Sequence, residues 1–274
     1  MTSAVVVIGM GGMGEAIARR QGPGRKLVLA DINTGTLESV ASSLECEGYD
    51  VLAQHVDVGD AESVEALAHL AASTGTVTQV IHTAGLSPVQ ASAEAILRVD
   101  LYGVAAVLAT FGNVIAPDGA AVVIASMAGH MMGELPPDQQ KDLATGPADQ
   151  LLELPYLQPD HVSEPGHAYA LAKYANRLRV MAESVRWGKR GARVNSISPG
   201  VISTPMGREE LGGDSGQVMR AMIDASGTAR TGTAFDIANA VAFLVSPESS
   251  FITGTDILVD GGVVAAIRSG ALGG

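Results

Sequence analysis

Short runs of valine, isoleucine and leucine alternate with amphipathic stretches along nearly the whole chain. The apolar runs lie at residues 4–8, 27–30, 51–56, 77–84, 120–126, 192–197 and 255–259. Continuous runs of this kind are typical of strands buried on both faces, as in a parallel sheet. Strands that alternate with helices form right-handed βαβ units. The sequence therefore predicts an α/β fold, a doubly wound parallel sheet of the Rossmann type with helices on both faces.

The stretches between the strands have helical periodicity. Helices are predicted at 13–20, 34–47, 60–73, 91–115, 167–187 and 234–245. No linker or repeat divides the chain, so one domain over residues 1–274 is expected, with the sheet order of a doubly wound fold.

Two segments interrupt this alternation. Residues 131–166 contain six prolines and are too long for an ordinary connection, so they are expected to form a lid, a small subdomain or an interface. Residues 205–230 are rich in glycine, methionine and polar residues, and they follow a strand. A flexible substrate flap is expected there.

Charge and cysteine content exclude several classes of protein. The formal net charge is −12, which argues against nucleic acid or an anionic membrane as the main partner. Cys46 is the only cysteine, so an intramolecular disulfide is impossible. Residues 1–14 lack a basic segment, and their apolar run is too short for a signal peptide or a membrane span. The expected location is the cytoplasm.

The first strand runs into a glycine-rich turn. Residues 9–14 read Gly-Met-Gly-Gly-Met-Gly, which fits the pattern G-x-G-x-x-G at the start of a helix. Glycine permits the tight turn, the approach of a pyrophosphate and close packing of helix and strand. The helix N-terminus then faces the phosphates. In a chain with 33 glycines, an ordinary turn is the alternative.

An acidic residue ends the second predicted strand. Asp31 lies 22 residues after Gly9, where a carboxylate can accept hydrogen bonds from the adenosine ribose hydroxyls. Its charge would repel a 2′-phosphate, and no lysine or arginine occurs in the turn or beside Asp31. These features favour NAD over NADP. A helix-capping or loop carboxylate is the alternative interpretation.

A tyrosine, a lysine and a serine form the candidate catalytic set. Tyr169 and Lys173 are four residues apart and share one face of a predicted helix. A nearby ammonium favours the phenolate, which lets tyrosine exchange a proton with an alcohol. Ser126 ends the fifth predicted strand, at the sheet edge where ligands bind, and can donate to a substrate oxygen. The alternatives are an exposed Tyr/Lys pair and an ordinary strand-ending serine.

With these motifs the chain resembles the short-chain dehydrogenase/reductase family of the single-domain type, along nearly its whole length. The matching features, in the family's order, are the turn at 9–14, Asp31, Asp57-Val58, Thr83-Ala84-Gly85, Ser126-Met127-Ala128-Gly129, Tyr169 with Lys173, Asn195, Pro199-Gly200 with Thr204, and Asp260-Gly261-Gly262. The long segment between Ser126 and Tyr169 and the Val-Asp-Gly-Gly ending are most similar to the 3α-hydroxysteroid dehydrogenase/carbonyl reductase branch.

The resemblance implies an NAD-dependent alcohol dehydrogenase or carbonyl reductase that interconverts a secondary alcohol and a ketone on an apolar or steroid-like small molecule. It implies a homo-oligomer, a dimer or tetramer assembled through long helices such as 91–115 and 167–187. The implied catalytic residues are Ser126, Tyr169, Lys173 and Asp100. The implied cofactor-binding residues are Gly9, Gly11, Gly12, Met13, Gly14, Asp31, Ile32, Asp57, Val58, Ala84, Gly85, Tyr169, Lys173, Pro199, Gly200, Ile202 and Thr204.

The sequence departs from the family pattern in the glycine turn, which is one residue shorter than usual, and at Thr83, where the family has Asn. It also has Asp100 where the family has a helical Asn. An ionised Asp100 would oppose a nearby phenolate, so slower turnover or a raised pH optimum is expected. This departure keeps open a non-catalytic NAD-binding regulator on the same fold. A methyltransferase or flavin protein would leave Tyr169 and Lys173 unexplained.

Several other residues have less specific interpretations. His130 is expected to contact substrate or to be a polar loop residue. Met206, Met219 and Met222 are expected to line an adaptable apolar pocket or to pack in the core. Arginines on the second long helix and before the sixth strand are expected on solvated or interface surfaces. They are Arg177, Arg179, Arg186 and Arg193.

Overall fold

A computed structural model describes residues 2–213 and 215–271. Its strands form one sheet in the order β3-β2-β1-β4-β5-β6-β7, and every neighbouring pair is parallel. The strands are β1 (Ser3–Ile8), β2 (Lys26–Asp31), β3 (Asp50–His55), β4 (Thr76–His82), β5 (Ala120–Ile124), β6 (Arg193–Pro199) and β7 (Asp256–Val259). The predicted doubly wound sheet of the Rossmann type is confirmed.

Helices cover both faces of the sheet. The α-helices are α1 (Gly12–Gln21), α2 (Thr34–Cys46), α3 (Ala61–Thr74), α4 (Ala93–Ile96), α5 (Val104–Phe111), α6 (Ala128–Met131), α7 (Pro137–Thr145), α8 (Ala148–Leu151), α9 (Pro165–Gly188), α10 (Pro205–Gly212), α11 (Gly216–Ala225), α12 (Ala234–Val245) and α13 (Val263–Arg268). A π-helical segment spans Leu97–Gly103, and short 3-10 turns span Pro155–Leu157 and Pro247–Ser249.

The central strands bury both of their faces. In β1, Val5 and Val7 pack in the core on one side of the sheet, and Val6 and Ile8 pack in the core on the other. This two-sided burial explains why the strand reads as an unbroken apolar run. The strand order reverses between β1 and β4, so the crevice at their carboxyl ends is the expected ligand site of such a sheet.

The predicted helix over 91–115 is interrupted. It begins as α4, widens into the π-helical segment Leu97–Gly103 and continues as α5. Asp100 lies in the widened turn, and its Oδ1 accepts a hydrogen bond from the Leu86 amide at 2.7 Å. Apolar residues are so dense on both sides of this segment that the sequence pattern did not reveal the wider turn. Such turns are frequent at functional sites.

The segment 131–166 contains α7 and α8, which the sequence pattern did not predict. Its Leu143, Leu151 and Leu157 are buried against Leu97 and Leu171, on the π-helical segment and α9. The segment is therefore held by an apolar core of its own along one side of α9. Of the alternatives expected from the sequence, this arrangement fits the small subdomain.

Two arginines expected at the surface have internal partners. Arg179 on α9 is 6% exposed. It donates a hydrogen bond, at 2.8 Å, to the carbonyl of Gly146, the residue that caps the C-terminus of α7. Arg193 donates to the Leu244 carbonyl at 2.9 Å and to the Ser246 carbonyl at 3.0 Å. These carbonyls close the end of α12, which explains a charged residue at the start of β6. The surface interpretation of both was wrong.

The other two arginines of α9 also contact main chain. Arg177 donates to the Gly129 carbonyl at 2.9 Å, and Arg186 donates to the Leu108 carbonyl at 2.6 Å. Each joins α9 to a neighbouring element, so neither side chain is simply a solvated charge.

Candidate active site

The turn after β1 packs main chain against main chain. Gly9 has φ of 98°, and a Cβ there would lie 2.5 Å from the Ala84 amide nitrogen at the end of β4. A Cβ on Gly14 would lie 1.8 Å from the Gly9 carbonyl oxygen. A side chain at either position would push α1 away from the sheet. The two outer glycines of the turn are therefore required by packing, whether or not a ligand is bound.

The middle of the turn faces open space. A Cβ on Gly11 would meet no atom within 4 Å. Gly11 is also the N-terminal cap of α1, so no side chain of the cap residue bonds to the first amides of the helix. The amides of the first helical turn are therefore free to face a ligand. A helix N-terminus of this kind attracts an anion through its unpaired amides and the helix dipole. The turn is one residue shorter than the family pattern, but the space beside Gly11 is still open.

Asp31 lies at the carboxyl end of β2 beside the turn. Its Oδ2 accepts a hydrogen bond from the Met10 amide at 2.5 Å, and its Oδ1 accepts one from the Asn33 amide at 2.7 Å. Each carboxylate oxygen keeps a second acceptor position for a hydroxyl group. Ile32 is 60% exposed and offers an apolar surface next to the carboxylate.

A cleft of about 460 Å³ runs along the carboxyl ends of β1, β2 and β4. The predicted cofactor-binding residues in its wall are Gly9, Gly11, Gly12, Met13, Gly14, Asp31, Ile32, Asp57, Val58, Ala84, Gly85 and Thr204. The open glycine turn, the free amides of α1 and the acceptor at Asp31 together fit a dinucleotide.

Sequence reasoning missed part of this wall. The missed cleft residues are Ile8, Asn33, Thr36, Val56, Leu86, Gln90, Val99 and Pro205. Asn33 caps α2 and accepts a hydrogen bond from the Thr36 amide at 2.9 Å. Its capping position directly after Asp31 was a signal that could have placed both residues at the cleft.

A second cavity, of about 400 Å³, adjoins the cleft. The remaining predicted residues line it: Ser126, Tyr169, Lys173, Asp100, Pro199, Gly200 and Ile202. Gly85 and Thr204 line both spaces, so the two cavities lie side by side.

Tyr169 and Lys173 share one face of α9, as their spacing predicted. The Lys173 Nζ lies 5.3 Å from the centroid of the Tyr169 ring. Ser126 follows β5, and its Oγ accepts a hydrogen bond from the Ala128 amide at 3.2 Å, which orients the hydroxyl at the start of α6. The Ser126 hydroxyl also contacts the Tyr169 phenol and acts to lower its pKa. A substrate oxygen can be held between these two hydroxyls.

Lys173 forms a buried ion pair with Asp100. The Lys173 Nζ lies 2.9 Å from Asp100 Oδ2, and the two side chains are 5% and 0% exposed. Burial alone would lower the pKa of Lys173, but the neighbouring Asp100 and Tyr169 outweigh it and the pKa is raised. The lysine therefore holds its proton at neutral pH. Burial raises the pKa of Asp100, and the lysine charge opposes that rise.

The pKa of Tyr169 is raised in this site. Burial is the main cause, and the charge of Asp100 adds to it. Lys173 and Ser126 act in the opposite direction, but they do not outweigh burial. The sequence predicted that Lys173 would lower this pKa. Lys173 does so, but the net direction is upward because burial outweighs the lysine charge and the charge of Asp100 adds to the rise.

Methionines form much of the second cavity's wall. The lining methionines are Met13, Met127, Met131, Met206, Met219 and Met222, which confirms the pocket interpretation for the last three, named from the sequence. Methionine is unbranched and polarisable, so such a wall adapts to ligands of different shape. Three of the six come from α10 and α11, within the expected flap.

The other cavity residues follow from the arrangement of α10, α11 and the loop after β4. Those that sequence reasoning did not single out are Leu86, Pro88, Val89, Ile124, Ala125, Met131, Gly166, Val201, Gly207, Glu210, Ser215 and Val218. No motif marks them. Of the segment 131–166, only the two end residues Met131 and Gly166 line the cavity, so the described segment does not roof it.

His130 lies outside the described lining of both cavities. Its Nε2 lies 2.6 Å from Asp256 Oδ2, in a mostly buried pair. Asp256 Oδ1 accepts hydrogen bonds from Ser196 at 2.6 Å and from Ser198 at 3.0 Å. His130 thus joins α6 to the β6–β7 edge of the sheet. Both interpretations drawn from the sequence, substrate contact and a polar loop residue, were wrong.

The fold and these adjoining cavities define a Rossmann-type oxidoreductase. Two family models match: short chain dehydrogenase over residues 3–136, and enoyl-(acyl carrier protein) reductase over residues 143–264. The short-chain dehydrogenase/reductase bsc3 of Alternaria brassicicola is 42% identical over 265 residues, covering 96% of this chain and 96% of that protein. The chain belongs to the short-chain dehydrogenase/reductase family.

More distant relatives include another dehydrogenase and a solved structure of a short-chain type dehydrogenase/reductase. D-threitol dehydrogenase of Mycolicibacterium smegmatis is 28% identical, covering 94% of this chain and 91% of that protein. A solved short-chain type dehydrogenase/reductase from Mycobacterium ulcerans superposes with a TM-score of 0.76 at 21% identity, covering 96% of this chain and 90% of that one, which shows the fold alone. The chain is an oxidoreductase of this family, with a nicotinamide cofactor and a small-molecule alcohol or ketone substrate.

No helix between residues 2 and 271, outside the undescribed position 214, is long and apolar enough to span a bilayer. The same residues contain no group of three or more histidine, cysteine or acidic side chains arranged to hold a metal ion.

Proposed function

We propose that this protein is an NAD-dependent oxidoreductase that interconverts a secondary alcohol and a ketone. The observation that supports it most is the common pocket of Tyr169, Ser126 and Lys173, which opens into the cleft beside the glycine turn. A bound nicotinamide ring would supply or accept the hydride. The preference for NAD rests on Asp31 and on the absence of a basic residue among the cleft-lining residues.

In the oxidative direction Tyr169 removes the proton of the alcohol. Ser126 donates to the same oxygen and holds it within reach of the phenol. Lys173 keeps its positive charge beside the tyrosine, where it opposes the effect of burial on the pKa. In the reductive direction the phenol returns the proton to the ketone oxygen. Asp100 acts through Lys173, because it pairs with the ammonium.

The cofactor-binding assignments follow the same geometry. We assign the glycine turn to the pyrophosphate, Asp31 to the adenosine ribose, and Asp57 and Val58 to the adenine. Tyr169 and Lys173 are assigned to the nicotinamide ribose. Pro199, Gly200, Ile202 and Thr204 are assigned to the nicotinamide end, with Ala84 and Gly85 between.

The substrate proposed is an apolar cyclic secondary alcohol. The methionine wall favours an apolar skeleton and does not demand one shape. A curated relative, cyclopentanol dehydrogenase of Comamonas testosteroni, is 41% identical over 105 residues, 38% of this chain and 41% of that protein. A steroid-like substrate, as in the 3α-hydroxysteroid dehydrogenase/carbonyl reductase branch, is the larger version of the same class.

The proposal is tested with purified protein, NAD and a panel of cyclic secondary alcohols, followed by absorbance of the reduced cofactor. Turnover that disappears in Tyr169→Phe is the expected result. Turnover that persists in this variant contradicts the role given to Tyr169. NAD binding without turnover of any alcohol contradicts the enzyme assignment and favours a regulator.

A non-catalytic NAD-binding regulator is the second candidate, and Asp100 is the observation that favours it. Its carboxylate pairs with Lys173 and raises the pKa of Tyr169, which weakens proton transfer. The retained set of Tyr169, Lys173 and Ser126 favours the enzyme, because cofactor binding alone does not require all three.

We propose one domain over the whole chain, located in the cytoplasm, and a homo-oligomer. In the described structure the segment 131–166 covers Leu97, Leu101 and Leu171, which lie on the two long helices expected to mediate assembly. On α9, Met181 and Val185 stay 57% and 67% exposed. An assembly through these helices must therefore use surfaces that the segment leaves open.

A further inference from the structure

One carboxylate in the substrate pocket has no role in the proposed proton transfer. Glu210 lies on α10 and lines the same cavity as Tyr169 and Ser126. Its charge reaches the reacting group, since it contributes to the raised pKa of Tyr169. Asp100 is the other acidic residue of the described lining, and Lys173 pairs with it.

Glu210 lacks such a pair. Within the described part of the chain, no lysine, arginine or histidine forms an ion pair with its carboxylate. Ser87 is fully buried and lies close enough to lower the pKa of Glu210, but its hydroxyl is not aligned for a full hydrogen bond with any described group. The carboxylate therefore keeps free acceptor positions inside a pocket whose wall includes several methionines.

The neighbouring Glu209 is different. It is exposed, does not line the described pocket, and accepts a hydrogen bond from Gln90 Nε2 at 3.0 Å. Glu209 thus has a hydrogen-bond partner at the surface, whereas Glu210 lines the substrate pocket. Burial and the charge of Glu209 raise the pKa of Glu210, and the Ser87 hydroxyl acts in the opposite direction without outweighing them.

We propose that Glu210 is a specificity-determining residue, which accepts a hydrogen bond from a second hydroxyl group on the substrate. The inference deepens the proposed function and rests on it. A diol can place its second hydroxyl against this carboxylate, whereas a monoalcohol has no second donor to offer it. A site built to hydrogen-bond a hydroxyl discriminates strongly against the analogue without it, because the polar group of the protein is left unpaired.

The test compares kcat/KM for cyclohexanol, the regioisomeric cyclohexanediols and the matching aminocyclohexanols, all with NAD. The best diol is expected to exceed cyclohexanol by roughly 10- to 100-fold, the range for a hydrogen bond to a charged group. In Glu210→Met, which continues the methionine wall, cyclohexanol is expected to become the better substrate. Glu209→Gln, which removes a neighbouring charge outside the pocket, is expected to keep the preference for the diol.

Binding of NADH is measured in each variant and is expected to stay unchanged, which shows that the fold and the cleft are intact. Equal kcat/KM for cyclohexanol and every diol, or a diol preference that survives in Glu210→Met, overturns the inference and leaves the proposed function standing. A preference for an aminocyclohexanol over the diols overturns the hydroxyl assignment. No turnover of any of these alcohols contradicts the proposed function and this inference together.

Discussion

The cofactor cleft and the substrate pocket adjoin at the same edge of the sheet, but different parts of the chain form them. The cleft is shaped by main chain: glycines without room for a Cβ, free amides at α1 and a carboxylate fixed by two amides. The pocket is shaped by side chains, chiefly methionines from α10, α11 and the segment after β5. Main-chain shape limits the cleft to one class of ligand, whereas the pocket wall can adapt.

This difference predicts how each region responds to substitution. A change in the cleft should affect binding of the cofactor whatever the substrate. A change in the pocket should affect rate, pH dependence or choice of substrate while the cofactor still binds. Variants that behave otherwise would show that the two cavities are coupled more closely than their geometry indicates.

The largest effect is expected for Tyr169→Phe. Without the phenol there is no group to exchange the proton, so kcat should fall by about 10²- to 10⁴-fold while the Kd for NADH stays unchanged. Steady-state kinetics and a fluorescence titration measure the two quantities. Tyr156→Phe makes the same chemical change in the segment 131–166, where the hydroxyl contacts the Gln139 carbonyl, and should leave kcat unaltered. A similar loss in both variants would contradict the role of Tyr169.

Gly14→Ala is expected to lower kcat less than Tyr169→Phe does, but to weaken the binding of NADH more. Its Cβ would lie 1.8 Å from the Gly9 carbonyl oxygen, so α1 and its free amides must shift. The Kd for NADH should rise about tenfold or more, since a charge-assisted hydrogen bond to each misplaced amide is weakened. Gly188→Ala at the end of α9 has open space for its Cβ and serves as the control. Unchanged binding in Gly14→Ala would refute the main-chain description of the cleft.

Asp100→Asn should change the pH dependence more than the rate at the optimum. The charge of Asp100 raises the pKa of Tyr169, so its removal lowers that pKa. Alcohol oxidation needs the phenolate, and its pH–rate profile should therefore move to lower pH. Asp142→Asn, an exposed change on α7, should leave the profile in place. An identical profile for Asp100→Asn and the unmodified protein would show that the carboxylate does not act on the tyrosine.

The smallest effect on activity is expected for Leu143→Ala, although its effect on stability is large. Leu143 is fully buried between α7 and α9 but does not line the described pocket. Truncation of such a side chain costs about 2–5 kcal/mol of unfolding free energy. Thermal unfolding should show this loss, while kcat/KM at low temperature stays unchanged. Altered kcat/KM without lost stability would instead indicate that the segment acts as a lid.

The sequence predicted best those features that depend on local pattern. The buried strands, the glycine turn and the shared face of Tyr169 and Lys173 each follow from the spacing of neighbouring residues. Asp100 was recognised only through the family resemblance, and its pair with Lys173 required two distant segments to be brought together.

Features set by packing between distant segments were missed. The π-helical turn lies within a stretch so rich in apolar residues that the pattern did not reveal it. Arg193 has the features of a surface residue until the end of α12 is placed beside it. Glu210 has no motif, because its meaning comes from the cavity that α10 adjoins. These are consequences of tertiary structure rather than of local sequence.

The most direct test of the account is a side-by-side titration of the protein and its Asp31→Ala variant with NADH and NADPH. The two oxygens of Asp31 face the cleft beside the turn and carry a charge that repels a 2′-phosphate. We expect the unmodified protein to bind NADH more tightly than NADPH, and the Asp31→Ala variant to lose that preference. Preference of the unmodified protein for NADPH, or an unchanged preference in Asp31→Ala, would contradict the account.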